Sequence, residues 1–399
     1  MLTPTGTLLA WMLVLPFVAV TLYLCLELLT GLWPLRGRTA KSHSEFQSDW
    51  KVAVLVPAHN EASGIAATIA HLRSILPRAR LLVVADNCTD NTASLAVAAG
   101  AEAVERHDPS RRGKGFALAF GREHLSEKPP AAVIVLDADC RLREGSGELL
   151  ANSAVELERP VQAANLLVSS EQASALEGIS NFAMLVKNLV RARGLMRLGG
   201  GIPLFGTGMA FPWDLFAQLD LASAALAEDL ELGLNLAKRG VRVELLDQAL
   251  VTSPAASVAD SRDQRSRWEH GFLHQAMKSA LPLIGHGIIH RSRHVLGLGA
   301  HMLVPPIALH LLLGTAILAI SGAFALFYQA WGPFLATIAS MSILFVLLFA
   351  AWLREGYKVL PFKALALAPL YVAWKIPIYV SFMLRRQSRW KRTRRPGEN

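Results

Sequence analysis

The 399-residue sequence contains few cysteines, and their spacing matches no common motif. The three, Cys25, Cys88 and Cys140, lie far apart and form no CxxC pair. An odd number without close pairs disfavours a disulfide framework and a structural zinc cluster. It also fits a reducing compartment such as the cytoplasm for the central part of the chain.

Two common phosphate-binding fingerprints are missing as well. Residues 111–115 (RRGKG) lack the spacing of a Walker A loop, and no GxGxxG follows the first predicted strand. Both absences argue against a P-loop nucleotide hydrolase and a dinucleotide-dependent dehydrogenase. The sequence also contains no internal repeat and no low-complexity segment.

Charged residues are scarce, at 18% of the chain, whereas hydrophobic residues make up 52%. The apolar residues concentrate in long runs near the two ends, at residues 7–31, 303–328 and 333–353. Each run is long enough for a membrane-spanning helix, which needs about 20 apolar residues. Glu27 in the first run is interpreted as a side chain near the membrane interface.

The net charge of +9 is concentrated beside the apolar runs. Basic residues follow the first run at 36, 38 and 41, and seven more occupy the tail at 385–399. Such positions indicate the cytoplasmic side of a membrane, and we expect no nucleic-acid partner. No basic residue precedes the first run and no cleavage site is evident, so we predict a retained anchor. The segment 359–384 is interrupted by prolines and lysines, and we predict that it is interfacial or re-entrant.

The middle of the chain alternates short apolar runs with helical stretches. Residues 52–57, 80–85 and 131–137 are predicted strands, and 65–76 and 92–100 are predicted helices. This alternation predicts an α/β fold with a mostly parallel sheet covered by helices. The predicted organisation is a transmembrane anchor at 1–34, a cytoplasmic domain at 50–260, interfacial helices at 261–300, a membrane region at 301–384 and a basic tail at 385–399.

Polar side chains follow the predicted strands, where open α/β sheets bind their ligands. Asp137 and Asp139 follow the third strand and suit a divalent cation on a diphosphate, or else are ordinary turn residues. Asp86 follows the second strand and suits a base edge or ribose, or else shapes a turn. Lys114 lies between two glycines and suits phosphate.

Two later segments carry further candidates. Glu228 and Asp229 open a helical stretch, where a carboxylate is a candidate general base or only stabilises the helix dipole. Gln264, Arg267 and Trp268 form a QxxRW pattern, suited to phosphate oxygens and a sugar ring, or to a basic interfacial helix. Five histidines share helix faces and are interpreted as interfacial rather than metal-binding: His270, His274, His286, His290 and His294.

In sequence order, VPxxNE, an aspartate after the next strand, GKG, DxD, ED and QxxRW resemble the family-two glycosyltransferases. The likeness is strongest to the membrane-embedded branch with cellulose, chitin and hyaluronan synthases and ceramide glucosyltransferase. It covers roughly residues 50–275 and implies a GT-A-like nucleotide-sugar domain. The resemblance implies that Pro57, Glu61 and Asp86 contact the nucleobase and ribose, and that Lys114 and Asp137 contact the nucleotide. Asp139 would be a ligand of Mg²⁺ or Mn²⁺, Asp229 the general base, and Gln264 and Arg267 the contacts to the diphosphate. Trp268 would contact the acceptor, and the loop around Gly206 would belong to the acceptor site.

The resemblance implies inverting transfer from a nucleoside-diphosphate sugar, expected to be a UDP-sugar, to a membrane-associated lipid or polysaccharide. The enzyme would lie in the plasma or inner membrane, with its catalytic domain and C-terminus in the cytoplasm. Ala85 replaces the first acid of the usual Asp-Asp pair, and no FxVTxR-like segment follows Trp268. The missing segment, together with fewer spans than in cellulose synthase, disfavours a one-chain secretion channel. The alternatives are a processive synthase that exports its polymer, with a secretion partner, and a non-catalytic nucleotide-binding scaffold.

Overall fold

The computed structural model describes residues 3–35, 51–168, 174–223, 225, 227–254 and 258–384, and for 3–4 and 258–263 the backbone only. The basic residues at 36, 38 and 41 and the predicted tail at 385–399 lie outside these ranges. The described residues form two units. The sheet unit comprises Pro34–Ser170 and Gly200–Phe272, and the helical unit comprises Met1–Trp33, Glu171–Gly199 and Leu273–Gln387.

The strands all belong to one mixed sheet. In chain order they are β1 (Val52–Ala58), β2 (Arg80–Asp86), β3 (Glu102–Arg106), β4 (Ala132–Val135), β5 (Arg141–Leu142), β6 (Val161–Val168), β7 (Met209–Pro212) and β8 (Glu244–Pro254). Their spatial order is β3-β2-β1-β4-β7-β6-β8-β5. β1 pairs in parallel with β2 and β4, β2 with β3, and β6 with β8, whereas β7 is antiparallel to both neighbours.

Some of the helices pack against the sheet, and the others make up the helical unit. They are α1 (Thr3–Gly31), α2 (Ile65–Ile75), α3 (Thr92–Ala98), α4 (Lys114–Ser126), α5 (Ser146–Leu157), α6 (Ala175–Leu185), α7 (Ala192–Gly199), α8 (Trp213–Phe216), α9 (Glu228–Lys238), α10 (Val258–Ile289), α11 (Arg293–Leu303), α12 (Ile307–Tyr328), α13 (Trp331–Ala351), α14 (Phe362–Leu365), α15 (Ala368–Trp374) and α16 (Ile376–Leu384). Two π-helical segments, Val186–Arg191 and Trp352–Gly356, adjoin α6 and α13.

The predicted α/β fold with a mostly parallel sheet is confirmed. The three predicted strands are β1, β2 and β4, and the two predicted helices are α2 and α3. Strands of this kind are buried on both faces, so their sequences are continuous apolar runs. In β1, Val54, Leu55 and Val56 are completely buried, and Leu55 lies opposite Leu82 of β2.

The strand β6 was not predicted from the sequence, because buried amide side chains interrupt its apolar pattern. Gln162 is completely buried, and its Nε2 donates to the carbonyl oxygen of Thr207 at 2.8 Å. Its Oε1 accepts from the backbone nitrogen of Phe205 at 2.9 Å. A buried amide is tolerated when its donors and acceptors are satisfied, and these bonds hold the loop that precedes β7.

Three helices of the described residues are long and apolar enough to cross a membrane: Thr5–Gly31, Ile307–Tyr328 and Trp331–Gly356. They correspond to the three predicted runs. The second begins at Ile307 rather than 303, because Pro305 and Pro306 separate α12 from α11 and a proline disfavours helix at the residue before it. The segment 359–384 is divided among α14, α15 and α16, none of which reaches the length of a span.

Glu27 of α1 differs from its interpretation as an interfacial side chain. It is completely buried in the helical unit. Its carboxylate contacts Arg191 Nε at 2.7 Å and His301 Nδ1 at 2.6 Å. The backbones of the segments that carry Glu27 and Arg191 are also in close contact. A Cβ added to Gly31 would overlap the carbonyl oxygen of Val190. This cluster could not be predicted from the sequence, because the members of each bonded pair are more than a hundred residues apart.

Glu27→Gln should destabilise the helical unit by about 3–5 kcal/mol, because it leaves the Arg191 guanidinium buried without its counter-charge. Thermal unfolding of the purified protein in detergent measures the effect. The double variant Glu27→Met/Arg191→Met is the control. It removes both charges and should recover most of the loss. An unchanged unfolding midpoint for Glu27→Gln would show that the ion pair is not needed for stability.

Candidate active site

The carboxyl ends of β1, β2 and β4 meet at one edge of the sheet, because the three strands are parallel neighbours. Asp86 is the last residue of β2, and Asp137 follows β4 after one further residue. Pro57, near the end of β1, lies opposite Val84 of β2. The predicted site residues of these three strands therefore share one edge.

Lys114 joins two of the predicted groups. It is the first residue of α4, and its Nζ is hydrogen-bonded to the Asp137 carboxylate. The same Nζ donates to the carbonyl oxygen of Gly206 at 2.6 Å. The backbone nitrogen of Asp137 donates in turn to Thr207 Oγ1 at 3.0 Å. One cation thus ties the DxD segment to the loop before β7.

Asp229 lies against the same loop. Gly206 has a left-handed backbone with φ of +87°, and a Cβ added to it would lie 3.0 Å from Asp229 Oδ2. The Lys114 Nζ would be 3.8 Å from that Cβ. Lys114, Asp137, Gly206 and Asp229 are therefore brought together, although they are separated by up to 115 residues in sequence (229 − 114).

Gly206→Ala should lower activity far more than its effect on stability explains. Alanine in a left-handed conformation costs about 1–3 kcal/mol, and its Cβ would press on the Asp229 carboxylate. Gly240→Ala is the matched control, because Gly240 has φ of +79° but nothing within 4 Å of the added Cβ. Thermal unfolding should shift alike in both variants, whereas the transfer activity expected from the sequence should fall only in Gly206→Ala. Equal activity in the two variants would contradict the placement of Asp229.

Three carboxylates, Asp137, Glu228 and Asp229, form what we call the carboxylate cluster. Burial, followed by the charge of Asp229, raises the pKa of Glu228 to about 7, against the opposing effect of Lys114. Burial lowers the pKa of Lys114, but the charges of Asp137 and Glu228 outweigh it, so the net shift is upward. Lys114 therefore remains a cation, hydrogen-bonded to Asp137 and within electrostatic range of Glu228 and Asp229.

Arg267 is a second cation near the cluster. Burial lowers the pKa of its guanidinium, while the charges of the three carboxylates oppose that shift. Gln264 and Trp268 share α10 with Arg267 and are partly exposed. The electrostatic interactions of the described residues associate Arg267 with the carboxylate cluster.

The donor set around Asp139 suits a hard divalent cation. Oxygens of Asp137 and Asp139 and the sulfur of Cys140 all lie within 4.8 Å of one another. Carboxylate oxygens are the ligands preferred by Mg²⁺ and Mn²⁺. Burial, and then the charges of Asp139 and Asp137, raise the pKa of the Cys140 thiol well above its ordinary value. A neutral, buried thiol is a poor ligand for such a cation, so the two carboxylates are the fitting pair.

A second group of side chains surrounds Asp86. Arg106 Nη1 donates to Asp86 Oδ1 at 2.6 Å, and Asn87 Nδ2 donates to the same oxygen at 3.0 Å. The His59 ring contacts the Asp86 carbonyl oxygen at 2.7 Å through Nδ1. The backbone nitrogen of Glu61 donates to a threonine hydroxyl at the start of α3. Because both donors use Oδ1, Asp86 Oδ2 retains acceptor capacity for a ligand.

Arg106 was missed by sequence reasoning. It ends β3, an edge strand whose residues are all exposed or half-buried, so no apolar run marks it. Its guanidinium also contacts Asp108 at 3.1 Å and lies 5.5 Å from the centre of the Phe116 ring. The available signal was a basic residue at the end of a short segment, EAVER, which follows the second predicted helix.

The two glycines that flank Lys114 are required by the conformation and packing of the protein backbone. Gly113 has φ of +135°, which glycine adopts readily. A Cβ on Gly115 would overlap the carbonyl oxygen of Leu221, so only glycine permits this close approach of α4 to Leu221.

The five histidines named above form no metal-binding group of three among the described residues, although the rings of His286 and His290 lie 4.2 Å apart.

Comparison with known proteins identifies the family. Residues 132–375 match Glycosyl transferase family group 2, a range that covers more than half of the chain. Residues 53–175 also match Glycosyl transferase family 2. The chain belongs to the family-two glycosyltransferases. The finer resemblance to the branch with cellulose and hyaluronan synthases receives no support from these matches.

Individual relatives of this glycosyltransferase are more distant. It is 25% identical over 370 residues to the uncharacterized glycosyltransferase YaiP of Escherichia coli (strain K12), covering 84% of this chain and 88% of the relative. The mannosyltransferase PcManGT from Pyrobaculum calidifontis, solved with GDP-Man and Mn²⁺, has a TM-score of 0.52 at 18% identity and covers 88% of this chain and 99% of that one. Glucosyl-3-phosphoglycerate synthase from Mycobacterium tuberculosis, solved with Mn²⁺, UDP and phosphoglyceric acid, has a TM-score of 0.39 at 17% identity, covering 60% and 84%. The PcManGT structure shows a shared GT-A-like fold.

Proposed function

We propose that this glycosyltransferase transfers a sugar, with inversion, from a nucleoside-diphosphate sugar to a lipid or polysaccharide at a membrane. The observation that carries the proposal is the convergence of Lys114, Asp137, Gly206 and Asp229. It supports the proposal because a candidate base, a carboxylate suited to a metal and a cation suited to phosphate lie close together. PcManGT, which shares the fold of this chain, was solved with Mn²⁺, in keeping with the proposal.

The donor would lie along the edge formed by β1, β2 and β4. Pro57, Glu61 and Asp86 would contact the nucleobase and ribose, with Arg106 holding the Asp86 carboxylate in place. Lys114 and Arg267 would hold diphosphate oxygens, since both are cations beside the cluster. We propose a UDP-sugar as donor. PcManGT was solved with GDP-Man, so GDP-sugars are the alternative to test.

Asp229 would accept the proton of an acceptor hydroxyl as that oxygen attacks the anomeric carbon, and the bond to the diphosphate breaks in the same step. A Mg²⁺ or Mn²⁺ ion held by Asp139, with Asp137, would supply charge neutralisation for the departing diphosphate. Because that group leaves as an anion, a second protonating carboxylate is not needed, in contrast to glycoside hydrolysis. Gln264 and Trp268 are proposed to complete the site when donor and acceptor bind.

The membrane setting is also a proposal. Three helices are long and apolar enough to span a bilayer, which supports an integral membrane protein whose acceptor is membrane-bound. We propose that the sheet unit and the C-terminus face the cytoplasm, because basic residues adjoin the first and last apolar segments. We retain the domain limits of 1–34, 50–260, 261–300, 301–384 and 385–399 as the working organisation.

The test is an assay of the purified, detergent-solubilised protein with UDP- and GDP-sugars and a panel of membrane lipids and glycans. Mass spectrometry of the products should show one sugar added to one acceptor class. Long polymers would favour the processive alternative. Nucleotide binding without any product across the panel would favour a non-catalytic scaffold.

A further inference from the structure

The two carboxylate oxygens of Asp86, at the end of β2, differ in what they can still accept. Arg106 Nη1 donates to Oδ1 at 2.6 Å, and Asn87 Nδ2 donates to the same oxygen at 3.0 Å. A carboxylate oxygen has two lone pairs, so these two donors saturate Oδ1. Oδ2 receives no hydrogen bond from the residues that the structure describes. Asp86 therefore has one oxygen left for a ligand.

The guanidinium of Arg106 is held in place by further contacts within the sheet unit. Its Nη2 donates to Asp108 Oδ2 at 3.1 Å, and its Nη1 also donates to the carbonyl oxygen of Arg111 at 2.8 Å. Its central carbon lies 5.5 Å from the centre of the Phe116 ring, and only 11% of its side chain is exposed. Movement of this guanidinium would break three hydrogen bonds, so Oδ1 of Asp86 stays occupied when a ligand enters.

Asn87 is also held, and its amide has one orientation. Its Oδ1 accepts from the backbone nitrogen of Asp108 at 2.9 Å. Because a backbone N–H can only donate, this bond turns the amide nitrogen of Asn87 toward Asp86. The backbone nitrogen of Asn87 donates in turn to the carbonyl oxygen of Arg106 at 2.7 Å. Both donors to Oδ1 are thus fixed by the hydrogen bonds of the protein itself.

A carboxylate with one accepting oxygen distinguishes nucleobases by the number of N–H groups that they present side by side. The Watson–Crick edge of uracil presents one, N3–H, between two carbonyl oxygens. Guanine presents N1–H beside its 2-amino group, and the pair requires both oxygens of a carboxylate. Adenine and cytosine have an acceptor nitrogen at that position, which a carboxylate repels. The arrangement around Asp86 therefore matches uracil best.

We propose that Arg106 and Asn87 are positioning residues that select the donor nucleotide, because they leave Asp86 one oxygen for a base with one N–H. Guanine at this place would have a 2-amino group without an acceptor, and an unsatisfied buried donor weakens binding. The inference rests on the proposed function in one respect, namely that Asp86 faces the nucleobase. It assigns the choice between UDP- and GDP-sugars to the two side chains that bond to Asp86.

Inosine diphosphate isolates the number of N–H groups from the other features of the base, since it is GDP without the 2-amino group. The purified full-length protein in detergent is titrated by calorimetry, in the presence of Mg²⁺, with UDP, GDP and inosine diphosphate. Inosine diphosphate should bind about tenfold more tightly than GDP, the usual effect of one unsatisfied donor. UDP should also bind more tightly than GDP. GDP binding as tightly as either of the other two nucleotides would overturn the proposal.

Arg106→Met removes the charged donor from Asp86 Oδ1. The difference in affinity between inosine diphosphate and GDP should then disappear, even where all three nucleotides bind more weakly. Arg80→Met is the matched control, because Arg80 pairs with Glu102 across the same two strands, β2 and β3, at 2.8 Å. It should keep the wild-type difference. A merely structural role for Arg106 would weaken all three nucleotides alike and preserve the difference, and that result would overturn the proposal.

Asn87→Gly is the second variant, and it keeps the test decisive if Arg106→Met fails to fold. Asn87 has φ of +52°, which glycine adopts readily, so the backbone is retained while the amide is removed. The difference between inosine diphosphate and GDP should fall by about threefold. Glu158→Gly is the matched control, because Glu158 is exposed and has φ of +50°. An undiminished difference in folded Asn87→Gly would overturn the proposal.

The failure of this inference and that of the proposed function give different results. Sugar transfer from a UDP-sugar, with GDP and inosine diphosphate bound equally, would refute the selection and leave the proposed function standing. The expected nucleotide preferences without sugar transfer to any acceptor would refute the proposed function and leave the selection standing. Equal binding of all three nucleotides would place Asp86 at the ribose, which they share, and would refute the selection.

Discussion

Asp229→Asn is expected to lower the turnover of sugar transfer by about 10²–10⁴-fold, the usual contribution of a general base. Donor affinity should remain near that of the wild type, because the substitution keeps the shape of the side chain and removes its basicity. Calorimetric titration with the nucleoside diphosphate measures the second quantity, and single-turnover assays measure the first. A variant that transfers sugar at a near wild-type rate would place the base elsewhere.

Glu228 is the control within the same cluster. Its pKa is raised to about 7, first by burial and then by the charge of Asp229. At about pH 6 most of this carboxyl is protonated, and Glu228→Gln resembles the protonated form. The variant should therefore match the wild type at low pH and diverge from it at about pH 8, where wild-type Glu228 is ionised.

The Asp229→Asn result is also informative about Glu228. Removing the neighbouring charge should lower the pKa of Glu228, because that charge is one of the causes of its rise. The pH dependence that remains in Asp229→Asn should therefore move to lower pH. A pH profile that collapses entirely in Glu228→Gln, with Asp229→Asn still active, would exchange the roles of the two residues.

Chelation of divalent cations is expected to abolish transfer, and added Mg²⁺ or Mn²⁺ should restore it. The carboxylates of Asp137 and Asp139 form the hard donor pair in the described residues, and a metal on a departing diphosphate contributes several kcal/mol of charge stabilisation. Full activity in excess chelator would refute the metal site. The measurement is the initial rate of product formation before and after dialysis against chelator.

Asp139→Asn should reproduce the effect of chelation, with loss of most activity at any metal concentration. Its thermal unfolding should change little, because Asp139 is partly exposed at a strand end and lies outside the hydrophobic core. Asp214→Asn is the matched control, since Asp214 is an exposed aspartate of the same unit. It should retain wild-type activity and metal dependence. Metal-stimulated transfer by Asp139→Asn at a wild-type rate would remove Asp139 from the metal site.

The central strands and the apolar spans were predictable because their signals are local. β1, β2 and β4 are continuous apolar runs, and α1, α12 and α13 are long apolar helices. The strand-end positions of Asp86 and Asp137 follow from those strands alone. Lys114, Asp137, Gly206 and Asp229, which meet in the structure, were also named from the sequence, because the order of the motifs resembles that of the family-two glycosyltransferases.

The sequence alone therefore determined the α/β class, three apolar helices and the chemical types available at the sheet edge. Only the tertiary structure decided which of them touch. The Lys114 bonds to Asp137 and Gly206, the Arg106 bond to Asp86 and the burial of Glu27 with Arg191 join residues 20 to 164 positions apart. The physical reason is that periodicity records whether one residue faces water or the core, whereas the pairing of charges depends on how separate elements pack.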